Sequence, residues 1–93
     1  MILHMIQDSA TQDAALACCL RYSRLDDTLL LSGDSVNALL QLDWQEQLAN
    51  RKLLLLKSDV DARGLSKRLS QYQHISQQEF VSQTMIHSKV ISW

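Results

Sequence analysis

The sequence predicts an α/β protein, a small three-layer α/β/α sandwich on a mostly parallel five-stranded sheet. Three observations carry this. Five short apolar runs punctuate the 93 residues, and helix-like stretches separate them. Two of the runs, Thr28 to Ser32 and Lys52 to Lys57, are apolar throughout their middles instead of alternating. An unbroken apolar run of that length suits a strand covered on both faces, the usual state of a parallel sheet. Strands that alternate with helices imply βαβ crossovers with helices on both faces.

Ile2 to Ile6 reads as the first strand, and Asp8-Ser9 as the N-cap of a helix over Ala10 to Ser23. Asp26-Asp27 marks a turn into the second strand, Thr28 to Ser32. Gly33-Asp34-Ser35 then caps a helix from Val36 to about Ala49, with Asp43 as the place where it would break in two. Four leucines between cations, Lys52 to Lys57, form the third strand because so short a run between Asn50-Arg51 and Ser58-Asp59 is strand-sized. Asp59 to Arg63 reads as a helical turn closed by Gly64, and Leu65 to Leu69 as a further turn. A short extended piece follows at Gln73 to Ser76, then a helix over Gln77 to His87 capped by Ser76, and a last strand, Lys89 to Trp93.

Composition excludes several classes. The absence of Pro and the presence of only two Gly argue for one compact domain spanning residues 1–93, without linkers or low-complexity tracts. A formal net charge of −1 supplies no electrostatic footprint for nucleic acid or for an acidic membrane. The first residues lack the basic and apolar regions of a secretory signal, and no apolar run approaches the roughly 20 residues of a membrane span. A cytoplasmic protein is the expectation. Cys18 and Cys19 are adjacent, so on a helix their side chains diverge by about 100° and do not pair; they read as free thiols.

Chemistry is sparse. Gly33 and Gly64 stand too far apart for a Gly-rich phosphate loop, and His4, His74 and His87 have no metal-ligand spacing. No serine sits in a nucleophile elbow. No cofactor or metal is expected, and the crevices at the carboxyl ends of the strands are the places for a ligand. The one reactive candidate is Cys19, since a thiolate can accept and donate a sulfur atom. Helical phase puts Cys19 beside the apolar face of Leu16 and Leu20 and turns Cys18 outward. The pair lies late in its helix, where the backbone dipole opposes a thiolate, although Arg21 and Arg24 oppose that in turn. Two readings of Cys19 stand together, a packed apolar residue and a persulfide carrier. Asp59, Asp61 and Arg63 form a charged turn, either solvated or a partner contact, and Trp93 either docks on its own domain or serves an interface.

Ile2-Leu3-His4, Cys19-Leu20-Arg21-Tyr22, Leu29-Leu30-Leu31 leading through Asp34 and Val36 to Ala38, Asp59 with Ala62-Arg63-Gly64-Leu65, Phe80-Val81 and Ser92-Trp93 together resemble the TusB/DsrH family of sulfur-relay proteins. The likeness runs the length of the chain and departs at Ser35, where a Gly commonly follows the Asp. It implies a DsrEFH-like fold and a heterohexamer, a dimer of trimers with TusC-like and TusD-like subunits. In such a complex sulfur arrives from a TusA-like donor and leaves with a TusE-like acceptor toward 2-thiouridine at the tRNA wobble position. The principal sulfur-accepting cysteine belongs to the TusD-like subunit. The resemblance therefore implies a mainly structural subunit, not catalytic on its own, and Asp59, Arg63 and Trp93 stand as the candidates for partner contact. Some members carry a cysteine at the position of Cys19, which keeps open a persulfide carrier in a DsrEFH-like sulfur-oxidation relay. An interaction domain without sulfur chemistry is the remaining alternative.

Overall fold

A computed structural model of the chain describes residues 2–7 and 15–93. Its elements are β1 (Ile2–Ile6), α1 (Ala15–Tyr22), β2 (Thr28–Leu31), a 3-10 segment (Gly33–Leu40), α2 (Leu42–Leu48), β3 (Lys52–Leu56), α3 (Lys57–Ala62), β4 (Gln73–Ile75), α4 (Gln77–Ile86) and β5 (Lys89–Ser92). The cap expected at Asp8-Ser9 and the first part of the helix expected from Ala10 lie outside the described residues.

The five strands form one sheet in the order β4-β3-β2-β1-β5, and every neighbouring pair is parallel. The expected three-layer architecture is present, with a sheet that is wholly parallel. Three crossovers step in one direction from β1 to β4, and the fourth returns past them to the far side of β1. Crossovers of one hand then place the first three connections on one face and α4 on the other.

Packing follows that division. Ile6, Leu29, Leu31 and Leu55 meet Leu16, Cys19, Val36, Leu39, Leu48 and Val60 on the first face. Leu3, Leu30, Leu54 and Ile75 form a smaller cluster on the second, with Met5 and Phe80 half-buried against it. Successive leucines of β2 thus serve opposite faces, which is why the run is apolar without alternation.

The stretch expected as a helix from Val36 to Ala49 is divided differently. A 3-10 segment runs to Leu40, Gln41 is extended with φ −103° and ψ 130°, and α2 begins at Leu42. The buried residues explain the tighter winding: Ser35 with Ala38 and Val36 with Leu39 are i,i+3 pairs, which a 3-10 helix aligns on one side. Asp43, expected as the breaker, sits in the first turn of α2, where an acidic side chain suits the helix dipole. β3 ends at Leu56 and α3 opens at once on Lys57. α4 is capped by Ser76 as expected: Ser76 Oγ accepts the Glu79 N–H at 3.1 Å, and Glu79 Oε1 accepts the Ser76 N–H at 3.1 Å.

Both glycines have left-handed backbones, φ 54° at Gly33 and 67° at Gly64. A Cβ at Gly33 would stand 3.0 Å from the Gln7 carbonyl oxygen, whereas one at Gly64 would meet nothing within 4 Å. Gly64→Ala should therefore cost about 1 kcal/mol, the left-handed penalty alone. Gly33→Ala should cost more, because it also pushes the β2 exit away from β1. Urea unfolding of the two variants checks this, and equal losses would contradict the steric argument.

Candidate functional site

A crevice of about 560 Å³ opens at the carboxyl ends of β1, β2 and β3, where parallel α/β sheets place ligands. Met5, Leu30, Leu56 and Phe80 supply its apolar surface, and Gln7, Ser32, Asp34, Asp59, Arg63 and Gln77 its polar one. The turn that shapes it is held by Ser35. The buried Ser35 hydroxyl accepts the Ser32 N–H at 3.0 Å and shares its own proton between the carbonyls of Ile6 at 2.5 Å and Ser32 at 2.7 Å. A side chain at this position thus fastens the end of β1 to the entry of the 3-10 segment.

Asp59 and Arg63, picked from the sequence as a charged turn, meet Asp34 at this crevice. Asp59 Oδ2 accepts the Gly33 N–H at 2.8 Å, so α3 anchors the same turn from the other side. Arg63 gives Nη2–H to Asp34 Oδ1 at 2.8 Å and Nη1–H to the Asp59 carbonyl at 3.1 Å. The Arg63–Asp34 pair is open to solvent and contributes at most about 1 kcal/mol. Neither a cysteine nor a histidine is among the described residues lining the crevice, which combines apolar side chains with two carboxylates and a guanidinium.

Cys19 lies elsewhere, in the core between α1 and the sheet, with no exposed surface, while Cys18 is exposed. Burial pushes the Cys19 thiol from 9.0 up to about 11; Arg51 and the Ser23 hydroxyl pull it down in part, and Asp27 pushes it further up. At neutral pH the sulfur is a thiol packed among leucines, not a nucleophile.

Next to it stands an arrangement that neither spacing nor composition revealed. Asp27 is buried and accepts three hydrogen bonds: from the Ile2 N–H at 3.0 Å, the Arg24 N–H at 3.1 Å and His4 Nε2–H at 3.0 Å. Trp93 gives its indole N–H to His4 Nδ1 at 3.0 Å. Indole only donates, so Nδ1 accepts and the imidazole proton sits on Nε2, facing the carboxylate. Tyr22 completes the group, its ring 6.0 Å from His4 and 5.7 Å from Trp93, edge-on to both. The Trp93 side chain packs on its own domain through its bond to His4 and stays half-buried. His4 and Asp27 are 23 positions apart and carried no local signal beyond a histidine inside an apolar strand.

Burial alone would raise the Asp27 carboxyl, but the bonds from His4, Arg24 and Ile2 outweigh it and hold the group down from 3.8 to about 2. The folded value lies below the unfolded one, so this stabilisation is complete above 3.8 and is lost as pH falls through about 2. Its size is about 2 kcal/mol. Asp27→Asn should lose roughly 2 kcal/mol at neutral pH, because the amide turns one donor toward other donors, and its stability should fall less steeply in acid. Urea midpoints across that pH range measure both effects. For the thiols, iodoacetamide at about pH 8 should modify Cys18 in the native chain and reach Cys19 only with unfolding; peptide mass mapping reads the order, and equal rates would contradict the burial of Cys19.

Among the described residues no helix is long and apolar enough to cross a membrane, and no three His, Cys, Asp or Glu side chains are grouped to hold a metal. No curated protein matches the chain at a significant level. A family model described as DsrH, DsrH like protein, matches residues 8–90. With a wholly parallel five-stranded sheet and a match over nearly all of its length, the chain belongs to the DsrH-like family, that of TusB and DsrH, whose members are subunits of multi-subunit sulfur-relay complexes.

Proposed function

We propose that this chain is a mainly structural subunit of a cytoplasmic TusBCD-like complex that passes persulfide sulfur toward 2-thiouridine at the tRNA wobble position. Its partners in this reading are TusC-like and TusD-like chains in a heterohexamer, a dimer of trimers, loaded by a TusA-like donor and emptied by a TusE-like acceptor. The observation that carries the structural role is the second face of the sheet. A parallel sheet is ordinarily covered on both faces, yet α4 is the one described helix there and none of its residues is buried. Val81, Met85 and Ile86 of α4 are 54, 80 and 69% exposed, and Val90 of β5 is 39% exposed. An apolar surface of this kind is what a permanent subunit contact uses.

Asp59, Arg63 and Trp93 are further contact points in this reading, the first two at the rim of the crevice. The burial of Cys19 and its raised thiol support a chain that does not itself carry sulfur. A second reading, with Cys19 as persulfide carrier in a DsrEFH-like sulfur-oxidation relay, draws on Arg51 and Ser23 standing beside the sulfur and lowering its proton affinity. That reading requires α1 to open.

Co-expression with the TusC-like and TusD-like proteins of the same cell, then native mass spectrometry with and without a persulfide donor, tests both. A heterohexamer with added sulfur on the TusD-like chain alone is the expected result. Sulfur on this chain, lost in Cys19→Ser, would establish the second reading, and the absence of any complex would overturn both. The double substitution Met85→Glu with Ile86→Glu should abolish assembly while leaving the circular dichroism of the chain unchanged, since both side chains are largely in solvent.

A further inference from the structure

The three histidines differ in what their partners permit. His74 gives Nε2–H to the Leu69 carbonyl at 2.8 Å, a bond that survives protonation of the ring. His87 gives Nδ1–H to the Gln83 carbonyl at 2.7 Å and takes the Thr28 hydroxyl on Nε2 at 3.0 Å. A hydroxyl rotates to accept when that nitrogen gains a proton. His4 has no such freedom. With Nε2–H on Asp27 and Nδ1 under the indole N–H of Trp93, a second proton must arrive on the atom to which Trp93 donates. An indole cannot accept, so two N–H groups would then oppose each other across about 3 Å.

The groups that face His4 come from several elements. From the turn before β2, Asp27 presents a carboxylate that stays ionised far below the range in which an imidazole ordinarily changes charge. From α1, Tyr22 offers a ring edge, and the neutral Cys19 thiol lies close enough to Asp27 to feel its charge. The register neighbours of His4, Leu29 on β2 and Ile91 on β5, are uncharged. Arg51, which bonds the Ser23 hydroxyl and the Arg24 carbonyl, is a cation close enough to Cys19 to act on its thiol. The Trp93 backbone N–H is held separately by the Met5 carbonyl at 2.9 Å, so the side chain can leave while the strand stays.

We propose that His4 and Trp93 form a proton-operated latch: neutral His4 holds the Trp93 indole against Tyr22, and protonation of His4 releases the indole and uncovers both rings. The full chain, labelled with nitrogen-15, would be titrated from about pH 8 to about pH 5, where imidazoles ordinarily change charge. The readouts are the Trp93 indole N–H, told from that of Trp44 by Trp44→Phe, and the three imidazole rings. The indole resonance should move with the midpoint of the His4 ring and exchange rapidly with water below it. His4→Gln, whose amide supplies a donor and an acceptor without titrating, should hold the indole unchanged throughout. An indole that stays fixed across the range in the wild type, or moves equally in His4→Gln, overturns the latch. Should the glutamine variant not fold, the wild type still decides, because an indole that follows His74 or His87 instead of His4 overturns it as well.

Discussion

The Asp27 carboxylate is the point through which one side of the domain is assembled. A buried anion without partners would be untenable, and Asp27 is supplied with two backbone N–H groups and an imidazole. Those donors belong to the start of β1, the turn after α1, and the middle of β1. Through His4 the same chain of bonds reaches Trp93, beyond β5. Three separate stretches of sequence, β1, the turn before β2 and the residue after β5, are thus linked through one carboxylate, and the order β2-β1-β5 in the sheet is reinforced by side chains as well as by the ladder. The arrangement also sets the imidazole tautomer, since a carboxylate on one nitrogen and an indole on the other leave a single place for the proton.

The two faces of the sheet differ in how completely the chain covers them. Three crossovers and the turns around Leu65 and Leu69 close the first face, and most of the buried apolar residues lie there. On the second, α4 touches the sheet through the half-buried Phe80 and turns Met85 and Ile86 outward. In a free-standing domain such exposure is a liability, while in a subunit of a larger assembly it is a joint. Membership of a family of relay-complex subunits and this uneven cover are two independent lines toward the same description.

Sulfur chemistry and ligand geometry do not coincide in this chain. The crevice stands at the strand ends favoured for ligands but has no thiol among its described lining residues, and Cys19 has its thiol in the core. Arg51 and Ser23 lower the proton affinity of that sulfur, yet burial outweighs them. A nucleophile needs both ionisation and access, and the folded chain withholds both.

Much of this was legible in the residues. Runs such as Leu29 to Leu31 and Leu53 to Leu56 specified strands covered on both sides, the helical stretches between them specified a parallel sheet, and Ser76 with Glu79 wrote the α4 cap outright. The inward phase of Cys19 and the outward phase of Cys18 followed from helical periodicity alone. These are local properties, each decided by residues a few positions apart. The 3-10 winding from Gly33 to Leu40 was not legible, because both helical forms bring residues three apart near one another and only the sheet beneath selects the tighter one. Nor was the meeting of His4, Asp27, Tyr22 and Trp93, or that of Asp34 with the i,i+4 pair Asp59 and Arg63: the separations between these segments carry no periodic signature, and only strand pairing together with the helices packed on the sheet brings them into contact. The sequence by itself determined the strands, the class of fold and the family. Only the tertiary structure decided which polar groups share a buried carboxylate, because that choice is made by strands pairing across the whole length of the chain.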